Sequence, residues 1–287
     1  MLDSDMMLSI ITINRNNAVG LEKTMKSVCS QTQKDFEYVV IDGDSSDGSV
    51  DIVHQFSREF ECRLKWISEP DNGIYSAMNK GIQKASGRYI EFLNSGDCLA
   101  SDDVVSRMYE ALEQKKYPSI LYGNMLKEMP DGAVLRDKCF AGKDISVLGF
   151  YTGTMNHSPA FIRRSLFETY GFYDEALKIV SDWKWYLQAI VFGEEKPEYV
   201  DVDVTLFDMN GISETNKELD KAERRKVLEG LIPSSILSDY DKWAFPIEQM
   251  KRLKRYPWVY KLVWFVERCL FKLEKGRRKR TGVVEYQ

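Results

Sequence analysis

From Leu8 to Gln114, short apolar runs alternate with longer stretches in which apolar residues recur every third or fourth position. The runs Leu8–Ile13, Glu37–Asp42, Leu64–Ile67 and Tyr89–Leu93 are β-branched or aromatic and short, which predicts buried strands. The stretches Leu21–Gln31, Ser49–Phe60, Ile74–Ala85 and Asp102–Gln114 carry apolar residues at helical spacing. Leu21, Met25 and Val28 share one face, as do Ile74, Ala77, Met78 and Ile82. Strand and helix in strict alternation predict a parallel, doubly wound α/β sheet with helices on both faces.

Beyond residue 115 the rhythm changes. Ile120–Glu128 and Ala133–Asp137 flank Met129-Pro130-Asp131-Gly132, which predicts a hairpin. Gly142–Met155 reads as loop, Ser158–Ile162 as a strand and Arg164–Tyr170 as a short helix. Ser181–Phe192 predicts one helix, Tyr199–Leu206 a strand, and Asn216–Leu231 a charged helix. The expected division is a catalytic domain over residues 1–215 and a helical extension over 216–287. In that extension Val259, Leu262, Val263, Val266, Leu270 and Leu273 fall at helical spacing, with Trp258, Trp264, Phe265 and Phe271 among them.

Composition narrows the class. With 287 residues, 44% of them hydrophobic, the chain can bury a sizeable core. Its five cysteines form no CxxC pair, which argues against a zinc site or disulfide framework and for a reducing, intracellular setting. Neither a signal peptide nor a transmembrane helix is expected. The net charge of −4 hides an asymmetry, because Lys251–Arg280 holds 12 Lys and Arg against 2 Glu. An acidic body with a basic, amphipathic end does not suit nucleic acid. It suits a domain held at an anionic membrane surface, or an apolar stripe that docks on the catalytic domain.

Chemistry is foreshadowed where two strands end. The run Tyr89-Ile90-Glu91-Phe92-Leu93 stops at Asn94-Ser95-Gly96-Asp97, and Glu37–Ile41 runs into Asp42-Gly43-Asp44. An open α/β sheet binds ligands at that carboxyl edge. A third acidic residue, Asp182, stands at a predicted helix start. Such carboxylates suit a divalent cation, a ribose or a general base. Taken singly, Asp42 and Asp97 also suit tight turns, and Asp182 the first turn of a helix.

Five blocks in order carry a more specific signal. They are Ser9–Asn16, Ser27–Thr32, Tyr38–Gly48, Ser68–Gly81 and Phe92–Asp97. Over roughly residues 8–213 they resemble the family 2 glycosyltransferases, in particular the bacterial subgroup that builds O-antigen, capsule and exopolysaccharide. The resemblance implies a GT-A, Rossmann-like, mostly parallel sheet. It implies inverting transfer of a sugar from a nucleotide diphosphate sugar, expected to be a UDP-sugar, to a hydroxyl of a glycan or lipid-linked acceptor. It implies Mn²⁺ or Mg²⁺ as cofactor and a cytoplasmic site on the inner face of the cell membrane.

By residue, the resemblance makes Asp97 the metal ligand and Asp182 the catalytic base. Thr12, Asn14, Asp42, Asp71 and Asn79 correspond to nucleotide-sugar positions, and His157 and Trp183 to the acceptor side. The chain departs from the family twice, since Gly43 and Gly96 stand where a second carboxylate is usual. Two other readings remain at this point. A sugar-phosphate nucleotidyltransferase would carry a Gly-rich basic loop after the first strand, and Asn14-Arg15-Asn16-Asn17 is not one. A non-catalytic nucleotide-sugar-binding module would need neither Asp97 nor Asp182.

Overall fold

A computed structural model of the chain describes residues 6–60, 63–129, 131–143, 145–209 and 216–281. Pro130 of the predicted turn, Cys62 and the side chains of Arg277–Arg280 in the basic run lie outside the described residues.

The alternating pattern becomes β1 (Leu8–Asn14), α1 (Ala18–Cys29), β2 (Glu37–Asp42), α2 (Ser49–Phe60), β3 (Leu64–Ser68), α3 (Ile74–Lys84), β4 (Tyr89–Phe92) and α4 (Val104–Gln114). A two-strand-residue element, β5 (Cys98–Leu99), intervenes before α4 and was not visible in the sequence. The strands pair in the order β3-β2-β1-β4, all parallel. The chain therefore reverses direction across the sheet between β1 and β4, the switch point at which such sheets open a crevice.

The predicted hairpin is β6 (Ile120–Glu128) with β7 (Val134–Asp137). β8 (Ala160–Arg163) joins β4 to β6 by antiparallel pairing on both sides. β9 (Glu198–Phe207) runs parallel to β6 and pairs antiparallel with β5. The sheet is thus parallel in its first half and mixed in its second. The segment expected to be loop contains a short helix, α5 (Val147–Thr152), whose N-cap Ser146 accepts from Gly149 N–H. α6 covers Ser165–Tyr170. The helix expected over Ser181–Phe192 is α-helical only as α7 (Ser181–Tyr186), and Leu187–Phe192 continues it as a π-helical turn.

The main core lies on one face of the parallel half. Leu21, Met25 and Val28 of α1, Phe56 and Phe60 of α2, and Met108 and Leu112 of α4 pack on Leu8, Ile10, Tyr38 and Val40. Each such buried aliphatic or aromatic side chain contributes about 1.5–3 kcal/mol.

The compact first unit extends to Leu231, so it includes α8 (Lys217–Leu231) rather than ending near residue 215. The physical reason is Glu223 of α8. Its carboxylate accepts from the backbone N–H groups of Lys178, Ile179 and Val180, just before α7. The second unit begins at Ile232 and holds α9 (Ser234–Lys254) and α10 (Pro257–Thr281). On α10, Trp258, Leu262, Trp264, Phe265, Leu270, Phe271 and Leu273 are all exposed.

Candidate active site

The strand ends at the switch point open into a cavity of about 640 Å³. Its lining includes Asn14, Asp71, Asp97, His157, Asp182 and Trp183, six of the nine residues singled out in the sequence. It also includes residues the sequence reading missed: Tyr75, Asn94, Lys178, Asp208 and Arg224.

Asp97 stands in a turn closed by its own N–H donating to Asn94 O. Thr24 of α1 clamps this turn. Its hydroxyl donates to Asp97 O at 2.7 Å and accepts from Gly96 N–H at 3.0 Å. The Asp97 side chain is 3% exposed. Its Oδ1 accepts from Asp208 N–H at 2.8 Å, and its Oδ2 has no hydrogen-bond partner. Burial is the main reason that the Asp97 pKa is pushed up to about 7, and the Asp208 charge adds to it. Asn14 Oδ1 and Asn94 Oδ1 are likewise buried and unpartnered. Orphaned acceptors at one cavity are what a cation or a ligand's donors would satisfy.

Asp182 is the second residue of α7. Its Oδ2 accepts from His157 Nδ1 at 2.8 Å, and the Tyr75 hydroxyl lies 2.9 Å from its Oδ1. Burial opposes its ionisation, but His157 and then Tyr75 outweigh that and hold its pKa below the ordinary carboxylate value. For His157 burial again opposes the charge, and the Asp182 carboxylate outweighs it, so the pKa is raised. The other ring nitrogen of His157 is 3.2 Å from Asn94 Nδ2, which joins the turn after β4 to the start of α7 through one imidazole. Trp183 is buried, donates from Nε1 to Phe150 O, and carries the Arg224 guanidinium 4.7 Å above its ring.

Three of the expected site residues do not line the cavity. Thr12 is buried and donates to Leu93 O at 2.6 Å. Asp42 is fully buried, and its oxygens accept from Asn14 Nδ2, Ser45 N–H, Ser45 Oγ and Ser68 Oγ. Burial disfavours its charge, but those donors outweigh it and hold its pKa low. Asn79 bonds both backbone groups of Tyr173 and the Glu175 carboxylate. Asn79 thereby pins the loop that leads to α7, and Asp42 fixes Asn14 and the Ser45 turn beneath the cavity.

Among the described residues no group of three or more His, Cys, Asp or Glu side chains is arranged to hold a metal ion alone. Sites that bind Mg²⁺ with nucleotides commonly use one or two carboxylates plus phosphate oxygens. The unpartnered Asp97 Oδ2 fits that arrangement.

The likenesses to known proteins agree with this geometry. A PGL/p-HBAD biosynthesis glycosyltransferase of Mycobacterium tuberculosis is 28% identical over 214 residues, 73% of this chain and 80% of that protein. Among solved structures, S. aureus TarS 1–349 in complex with UDP-GlcNAc superposes with a TM-score of 0.60 at 18% identity, over 73% of this chain and 61% of that one. The mannosyltransferase of Pyrobaculum calidifontis with GDP-Man and Mn²⁺ gives 0.55 at 15% identity, over 70% and 56%. The chain spans less than two thirds of either solved chain, and at these identities the likeness shows the fold. Residues 9–171 match the description Glycosyl transferase family 2. That match takes in more than half of the sequence, and the chain belongs to glycosyl transferase family 2.

Proposed function

We propose that the chain transfers a sugar, with inversion, from a UDP-sugar to a hydroxyl of a glycan or lipid-linked acceptor in surface polysaccharide synthesis. The observation that carries this reading is the pairing of two unlike carboxylates in one cavity: Asp182, held ionised by His157 and Tyr75, and Asp97, buried with one oxygen open. Asp182 takes the proton of the acceptor hydroxyl as its oxygen attacks the anomeric carbon. The bond to the nucleotide diphosphate breaks on the opposite side. His157 and Tyr75 hold the Asp182 carboxylate in place, and Trp183 with Arg224 forms the wall on the acceptor side. Mn²⁺ or Mg²⁺, when bound, would neutralise the diphosphate and stabilise it as leaving group, with Asp97 as ligand. TarS, whose structure contains UDP-GlcNAc, supports a UDP donor, and the mannosyltransferase with Mn²⁺ supports the cation.

The test is a panel of UDP- and GDP-sugars scored by thermal shift with and without Mn²⁺. A ligand at about 100 times its Kd adds roughly 2.7 kcal/mol of stability. One nucleotide sugar should stand out, and NMR of the transferred product should show the inverted anomer. A panel without any shift, or a retained anomer, would overturn the reading.

The second unit supports a place at the inner face of the membrane. No helix among the described residues is long and apolar enough to cross a membrane. On α10, Phe265, Trp258, Leu262, Leu273, Val266 and Val263 cover an arc of about 160° at 3.6 residues per turn. Lys261, Arg268, Lys272 and Lys275 share a narrow arc beside it. An exposed apolar face edged by cations suits a helix lying in an anionic interface. Each Lys or Arg adds on the order of 1 kcal/mol there. The full chain should cosediment with anionic liposomes, less so as salt rises, and a chain ending before Lys251 should not. Equal pelleting of both would refute the anchor.

A further inference from the structure

Two acidic pairs are incomplete in this chain, with Gly43 after Asp42 and Gly96 before Asp97. At both glycines the space where a side chain would begin is taken by a carboxylate from another loop. A Cβ on Gly43 would meet Asp71 Oδ2 at 2.4 Å, and a Cβ on Gly96 would meet Asp208 Oδ2 at 2.6 Å.

Strand register explains the second case. β5 and β9 pair antiparallel with Cys98 opposite Leu206 and Leu99 opposite Thr205. Continuing that register by two residues sets Gly96 opposite Asp208. Asp208 N–H donates to Asp97 Oδ1, so the backbone of one acidic residue holds the carboxylate of the other. Gly96 has φ +108°, a conformation that a side chain would strain. Both the backbone and the space therefore favour an empty position 96 with the carboxylate arriving from the residue just past β9. A second observation points to a ligand. Asp97 Oδ2 is unpartnered in a residue only 3% exposed, and it belongs to the same cavity wall as Asp208.

Building on the donor reading above, we propose that Asp208 supplies the second carboxylate of the cation site, replacing the side chain that Gly96 lacks, and shares a divalent cation with Asp97. Diphosphate oxygens and water would fill the remaining positions on the cation, in keeping with the absence of a three-residue ligand cluster among the described residues.

The test measures Mn²⁺ binding to the full chain by EPR, alone and with UDP or GDP. Wild type should bind Mn²⁺ more tightly when one nucleotide is present. Asp208→Asn should weaken that binding by on the order of 10-fold or more, and Asp208→Glu should recover part of it. Melting in EDTA confirms that each variant folds. If Asp208→Asn does not fold, ENDOR on wild type with ¹³C-carboxyl aspartate counts the carboxylates on Mn²⁺, where two are expected and one overturns the assignment. Loss in Asp97→Asn but wild-type binding in Asp208→Asn would leave Asp97 the sole carboxylate and overturn the proposal, with the donor reading intact. Failure of wild type to bind Mn²⁺ with either nucleotide would overturn both.

Discussion

Asp97 and Asp182 line the same cavity and burial opposes the charge of each, yet their surroundings drive them in opposite directions. Asp97 receives one backbone N–H and its pKa climbs to about 7. Asp182 receives an imidazole and a phenol, and its pKa falls. Desolvation raises the pKa of each, so it does not set their directions apart. The donors that the fold delivers to each do so, and they separate a buried carboxyl with one open oxygen from one that protein donors hold charged. Environments that push two carboxyl groups apart are how one site assigns unlike tasks.

The sharpest way to break this comparison is Asp182→Asn. The amide keeps the shape and the Tyr75 and His157 neighbours but cannot take up a proton. Turnover should fall by roughly 10²-fold or more, the scale of a lost general base, while donor affinity stays the same. Single-turnover kinetics with calorimetry on the donor separates the two. Near wild-type turnover would move the base to another carboxylate and leave Asp182 as a structural ion-pair partner.

The Asp97 half of the contrast was legible in the sequence and the Asp182 half much less so. Short apolar runs leading into Asn14, Asp42 and Asp97 announce parallel strands and their carboxyl edge: β1 and β2 end at Asn14 and Asp42, and β4 ends at Phe92, just before the turn that holds Asp97. Asp182 was marked only by its helix start and its place in the family pattern. What fixes its charge comes from far along the chain: Tyr75 from α3 and His157 from the loop before β8. No local periodicity encodes such meetings. Asp208 was hidden for the same reason, because its role follows from pairing between β5 and β9, and β5 is too short to read. Conversely, Thr12, Asp42 and Asn79 carry the right chemistry at the right places, but protein donors and acceptors already occupy it.

A smaller effect should follow from the His157–Asp182 pair. His157, raised above 6.5, stabilises the fold fully below 6.5 and loses that contribution as pH rises through its folded value. Asp182, lowered from 3.8, contributes above 3.8 and loses it as pH falls through its folded value. The pair is therefore worth most between 3.8 and 6.5. Removing one partner of this part-buried pair costs on the order of 1 kcal/mol. Melting of wild type and His157→Gln across pH should show the largest gap in that window, narrowing toward pH 8. A gap independent of pH would mean that His157 contributes packing alone, against Phe92, and that Asp182 is held low by Tyr75 and the backbone.

The smallest expected effect concerns a third buried carboxyl, which shares the environment of Asp97 without its outlet. Glu91 lies opposite Ile10 on β1, on the same face of β4 as Tyr89 and Leu93, within the apolar core. It is fully buried, both its oxygens lack hydrogen-bond partners, and burial alone pushes its pKa well above the ordinary value. Unlike Asp97 it does not line the 640 Å³ cavity, so a cation or ligand bound there cannot compensate it. The unfolded chain releases this proton near pH 4.5, whereas the folded chain keeps it. Wild-type stability therefore declines as pH rises above 4.5 toward the folded pKa. Glu91→Met, similar in length and free of buried oxygens, should raise stability by on the order of 1–3 kcal/mol. In a domain of this size each kcal/mol is worth about 2–4 °C in Tm. The gain should be larger at pH 8 than at pH 4, with donor binding unchanged. A loss of stability, or a gain that ignores pH, would show that the Glu91 carboxyl finds a partner in solution and that an open oxygen at Asp97 is no sign of a waiting ligand.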